Sequence, residues 1–150
     1  MKLNLFQKIA LVTLAMPSVA FAVLGGDVSS VQSDRMQMKA SLRAAKNTAN
    51  FTVHEMTMPN GTAVREYANT TGKVFAVAWK GPSIPDLQQL MGSYFDTYTS
   101  AAKNQRGGRT HFEIRQEDLV VRSGGHMRAF AGSAYVPGML PQGVTESDIQ

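Results

Sequence analysis

Phe51-Thr52-Val53-His54-Glu55-Met56-Thr57-Met58, then Pro59-Asn60-Gly61, then Thr62-Ala63-Val64-Arg65-Glu66-Tyr67-Ala68, is the stretch whose reading decides the fold. Both long runs alternate in polarity with a period of two, the side-chain repeat of a β-strand. Asn-Gly between two such runs marks a hairpin, because both residues tolerate positive φ. A tight turn at Asn60-Gly61 would set Glu55 opposite Glu66. A further turn, Asn69-Thr70-Thr71-Gly72, leads into Lys73–Lys80, where Val74, Phe75, Ala76, Val77, Ala78 and Trp79 are apolar without alternation. A strand apolar on both faces has to be covered on both, so this one belongs inside the fold.

Downstream, Gly81-Pro82 ends the meander, and Ser83 to Asp86 has capping-box spacing with Pro85 in the first turn. Ile84, Leu87, Met91, Tyr94 and Tyr98, widened by Leu90 and Phe95, form a stripe at helical spacing. The stripe predicts a helix from Pro85 to Lys103, apolar face down on the sheet. A loop follows over Asn104–Gly108, and alternation from Arg109 to Glu117 predicts a strand with one face in solvent. Leu119–Arg122, a Ser123-Gly124-Gly125 turn and His126–Val136 read as a second hairpin. Pro137–Gln150 reads as an irregular arm, laid on the surface or disordered. Upstream, residues 23–50 are poorly patterned, with a helix expected over Arg35–Lys46 from the spacing of Met38, Leu42 and Ala45. The order βββ-α-βββ predicts one α+β domain over residues 23–150, an antiparallel sheet with one main helix packed on it.

The first residues are of another kind. Lys2 and Lys8 precede an apolar run from Ile9 to Met16, Pro17 breaks it, and Ala20-Phe21-Ala22 is a small-x-small site. This is the pattern of a secretory signal peptide over residues 1–22, cut between Ala22 and Val23. The run is too short for the roughly 20 apolar residues a membrane span needs, and no later stretch in the mature chain reaches that length. The sequence therefore predicts export to the periplasm or medium of a Gram-negative bacterium. Cleavage removes two lysines from a net charge of +4, leaving a balance too close to neutral to argue for nucleic acid. The chain has no cysteine, which excludes disulfides, thiol chemistry, thiolate metal sites and a lipid-modified cysteine.

Few residues stand out as chemistry. His54, Met56 and Met58 alternate on a strand and so share one face, with Met36 and Met38 as further donors. Imidazole and thioether together suit copper, whereas methionine is also an ordinary gap-filler of cores. His54-Glu55 lacks the helix and second histidine of a zinc protease. Glu55 and Glu66, if opposite each other, would form a carboxylate pair for acid–base work on an envelope polymer. No serine lies in a nucleophile elbow, and Gly107-Gly108-Arg109 and Gly124-Gly125-His126 are too short for phosphate loops. Lys103, Arg106, Arg109, Arg115, Arg122 and Arg128 concentrate positive charge in the second half, interleaved with Glu113, Glu117 and Asp118. Such a mixture reads as a solvated face first and as a binder of anions second.

Thr52-Val53-His54-Glu55, Gly61-Thr62, Val64-Arg65-Glu66-Tyr67 and Val74–Pro82 followed by Pro85-Asp86-Leu87 resemble a set of small secreted proteobacterial proteins catalogued as a domain of unknown function. Leu24-Gly25-Gly26, Phe130-Ala131-Gly132, Pro137 and Leu140-Pro141 extend the resemblance over the mature chain. It implies export and a single compact domain, and carries no catalytic residue or cofactor with it. The functional expectation is a non-enzymatic exported module that binds a protein or envelope component. Tyr67, Trp79, Tyr94, Tyr98 and Tyr135 are its candidate aromatic contacts, and copper binding or polymer hydrolysis are the alternatives.

Overall fold

The strand that is apolar on both faces lies at the centre of a seven-stranded antiparallel sheet. The computed structural model describes residues 24–104 and 111–150, so the expected signal peptide and most of the Asn104–Gly108 loop lie outside the described residues. In chain order the elements are α1 (Val31–Gln37), β1 (Ser41–Asn47), β2 (Phe51–Thr57), β3 (Ala63–Asn69), β4 (Val74–Gly81), α2 (Leu87–Met91), α3 (Phe95–Asn104), β5 (His111–Arg115), β6 (Val120–His126) and β7 (Ala129–Tyr135). The strands lie in the order β1-β2-β3-β4-β7-β6-β5. Every residue from Val74 to Trp79 is buried.

Each face of β4 has its own cover. Val77 and Trp79 point into a core built with Met56, Val64, Ile114, Val121, Leu90 and Met91, the side on which the helices pack. Phe75, Ala76 and Ala78 belong to a second core with Tyr67, Val120, Tyr135 and Ile149, roofed by the C-terminal arm. On this arm face Phe51, Tyr67 and Phe75 form a ring cluster with centroids 5.9, 6.0 and 6.2 Å apart. Each such pair adds about 0.5–1.5 kcal/mol to the burial itself. The Tyr67 hydroxyl donates to the Gln150 carbonyl oxygen at 2.8 Å and accepts from the Gln150 N–H at 3.0 Å, which ties down the end of the arm. The arm is therefore ordered on the surface.

The mixed α and β character with an antiparallel sheet is as expected, and four details are corrected. The helix expected over Arg35–Lys46 is two elements. α1 ends where Lys39 turns left-handed at φ 50°, and Ser41–Asn47 pairs with β2 as an additional strand. Its Ala, Leu, Arg and Lys residues favour helix, but the backbone pairing outweighs that weak preference. The helix expected over Pro85–Lys103 is broken at Gly92, whose φ of 49° lies outside the helical region, and Asp86, not Ser83, caps α2 by accepting from the Gln89 N–H at 3.1 Å. The second hairpin turns at Met127-Arg128, since His126 pairs with Ala129, and Ser123-Gly124-Gly125 lies inside β6.

The fourth correction concerns register. The Gly61 N–H donates to the Met58 carbonyl at 2.9 Å and Gly61 has φ 86°, so Pro59-Asn60-Gly61 is a three-residue loop with glycine in the left-handed position. The extra residue sets His54 opposite Glu66 and Glu55 opposite Arg65. Glu55 and Glu66 consequently point to opposite faces of the sheet.

Gly132 in β7 sits directly under the Trp79 indole. A Cβ there would stand 2.3 Å from Trp79 Cζ2 and 2.6 Å from the Arg122 carbonyl oxygen. Neither a buried ring nor a strand backbone can withdraw cheaply, so Gly132→Ala is expected to destabilise by about 1–3 kcal/mol. Urea unfolding followed by Trp79 fluorescence checks this, and a loss under about 0.5 kcal/mol would show that the indole is free to move.

Candidate functional site

Two features of the sheet concentrate polar chemistry. One is an open trough, and the other is a sealed pair of acids.

The trough lies on the arm face, where the cover stops at Ile149 and Gln150, and has a volume of about 720 Å³. Lys80, Ala131, Gly124 and His111 are register neighbours across β4, β7, β6 and β5, and form its outer row. Ser133, Arg122 and Glu113 form the next row inward. Ala131 and Gly124 leave a floor without long side chains. Lys80 and His111 stand at its two ends, about 14 Å apart by strand spacing.

Charges on the inner row are paired. Glu113 accepts from Arg115 at 2.6 Å and from Arg122 at 3.3 Å, and Glu146 of the arm pairs with both arginines. Hydrogen bonds from Arg122 and then Arg115 hold the Glu113 carboxyl below its ordinary value. On the outer row, Lys80 and His111 form no ion pair among the described residues. Arg128, exposed at the β6–β7 turn, adds positive charge to this end of the sheet.

The second feature lies under α1. Asp34 and Glu66 are the two acids among the described residues with no solvent exposure. Glu66 projects from β3 between Val64 and Ala68, and Asp34 from α1 between Val31 and Met38, so each interrupts an otherwise apolar row. The Gln89 amide of α2 donates to Asp34 Oδ1 at 3.2 Å. Asp34 Oδ2 and both oxygens of Glu66 receive no N–H or O–H from another side chain or the backbone. The two carboxyls lie near enough for each to shift the proton affinity of the other, and two carboxyls in direct contact need a proton between them. Burial raises both, Asp34 to about 6 and Glu66 to about 9, the negative charge of Asp34 adding to the rise at Glu66.

The residues singled out in the sequence scatter over these features. His54, Met56 and Met58 share the helix face of β2, as alternation requires. Met56 is wholly interior, Met58 packs against the same core, and Met38 joins them while Met36 is 67% exposed. His54 is half-buried, and loss of water lowers its pKa from the ordinary value. No group of three or more His, Asp and Glu side chains able to hold a metal occurs among the described residues. Glu55 forms an ion pair with Arg65 at 2.7 Å, a partly exposed contact worth under about 1 kcal/mol. Tyr67, Trp79 and Tyr135 are buried, and Tyr94 and Tyr98 half-buried. Arg106 and Arg109 lie outside the described residues.

Sequence reasoning missed Asp34 altogether and gave Glu66 the wrong partner. The signal was present: Val31, Asp34 and Met38 share one helical stripe, and Val64, Glu66 and Ala68 one strand face. In each, a lone acid stands in an apolar row.

Fold and site together define a class: a seven-stranded antiparallel module, covered by helices on one face and by its C-terminal arm on the other, with an open trough lined by Lys80, Arg122, Glu113 and His111. The chain belongs to the family described as Protein of unknown function (DUF2844), whose model matches residues 20–149. No curated protein and no solved structure matches the chain. No helix among the described residues is long and apolar enough to cross a membrane.

Proposed function

We propose that this chain is an exported, non-enzymatic binding module that holds an extended acidic polymer of the cell envelope in the trough between Lys80 and His111. The observation that carries the reading is the trough itself: a floor of Gly124 and Ala131, with Lys80 and His111 at its ends, neither in an ion pair among the described residues. A lysine at one end, an imidazole at the other and a smooth floor suit holding a chain laid across the strands. The paired inner row, Arg122 with Glu113 and Glu146, keeps the floor rigid. Export is supported by the leader pattern of residues 1–22 and by where the family match begins, residue 20. Leu24, just after the expected cut, is buried, and its N–H donates to the Leu90 carbonyl at 3.1 Å.

Two measurements check this. Calorimetric titration with oligogalacturonate, using dextran of equal length as the uncharged control, is expected to show binding to the acidic oligomer alone, weakening as salt rises. Lys80→Glu should weaken it about tenfold. Equal binding of dextran, or indifference to Lys80→Glu, would overturn the trough assignment. Separately, the intact mass of the protein recovered from outside the cytoplasm should correspond to residues 23–150. Recovery of the uncut chain from the cytoplasm alone would overturn export.

A further inference from the structure

A core that buries two acids, with one amide as their only other polar partner among the described residues, has an unusual dependence on protons. We propose that Asp34 and Glu66 form a proton-dependent latch that holds α1 against the sheet while a proton is shared between them and lets it go when both are ionised. The geometry carries this. α1 supplies Val31 and Met38 to the core that β3 enters through Val64, and the two carboxyls lie in that core with no exposure to water, near enough to repel when charged. Ionising one of them leaves a charge that the other, by accepting no further charge, can still share through the remaining proton. Ionising both puts two like charges in an apolar contact, which burial and repulsion both oppose.

Among the described residues the surroundings offer no ion-paired cation to relieve this. From β2, His54 faces Glu66, and burial holds its ring toward the neutral form. From β4 the opposite residue is Val77, from α2 it is the neutral Gln89 amide, and from β1 Ala45 stands beside His54. No lysine or arginine among the described residues forms an ion pair with either acid.

The sign follows from linkage. Both acids are raised in the folded state, so the folded protein binds more protons than the unfolded chain. Their contribution is complete below the unfolded values near about 4. It declines as pH rises from there through the folded values, so it is lost toward alkali and not toward acid. Release is local because α1 is the element that one acid rides on, whereas β3 is held by pairing on both sides.

The absence of native cysteine allows a clean test. Met38→Cys places a single thiol in the core beneath α1, and Met36→Cys an exposed one two residues away as the reference for thiol reactivity at each pH. The ratio of the two labelling rates with an uncharged reagent reports how firmly α1 is seated. In the otherwise native chain the protection of position 38 is expected to fall at least about tenfold between pH 6 and pH 9. With Asp34→Asn and Glu66→Gln together it should change less than about twofold. Should the double replacement fail to fold, Asp34→Asn alone, which keeps the acceptor for Gln89, is expected to shrink the fall. Protection that is constant with pH in the native background, or that falls equally without the acids, would overturn the latch.

Discussion

Sealing both faces of one strand is the constraint from which the rest of this structure follows. Val74–Trp79 is apolar at every position and is buried at every position. A strand of that kind at an edge, or in a sheet with one wet face, would expose several large side chains, each costing about 1.5–3 kcal/mol of lost burial. The chain meets the requirement with two unlike covers. Helices from before β1 and after β4 lie on the face of Val77 and Trp79, and the arm after Val136 lies over Phe75, Ala76 and Ala78. Beside Ile149 and Gln150 the neighbouring strands carry Gly124, Ala131 and Gly132 in place of large residues, and the trough lies there.

The electrostatics divide in the same way. On the arm face several charges form partly exposed pairs, as Arg65 with Glu55 and Arg115 and Arg122 with Glu113. Water and salt screen such pairs, and each contributes little to stability. They set the shape and sign of a surface. Among the described residues, charge bears most on stability at the helix face, where Asp34 and Glu66 are shut away from water and a proton takes the place of a counterion. A folded domain whose surface pairs are weak and whose buried pair favours the protonated form gains less from rising pH than most proteins do.

The sequence made legible whatever depended on a strong local pattern. The interior position of Val74–Trp79 followed from the lack of alternation, the two strands around Pro59-Asn60-Gly61 from their period of two, and β5 from its alternating charges. What it hid was set by geometry at a distance or by a single extra residue. β1 exposes all seven of its side chains, so it carries no hydrophobic signature and its Ala, Leu, Arg and Lys read as helix. The loop at Gly61 holds three residues where Asn-Gly suggested two, and that shift alone moved Glu66 from beside Glu55 to the opposite face. At the second hairpin, Ser123-Gly124-Gly125 has turn chemistry yet stays in the ladder, because small residues are what the trough floor and the Trp79 ring admit. The trough's ends, Lys80 and His111, are 31 positions apart in sequence, and only the strand order β4-β7-β6-β5 brings them to one row.

Residue-resolved native hydrogen exchange on the folded protein tests the central claim, two-sided burial of β4, most directly. The account expects the amides of Val74–Trp79 to be the slowest in the chain, exchanging only through global unfolding, while those of the exposed edge strand Ser41–Asn47 exchange many times faster through local opening. Exchange in Val74–Trp79 as fast as in Ser41–Asn47 would mean that one cover, helices or arm, does not hold, and would contradict the account.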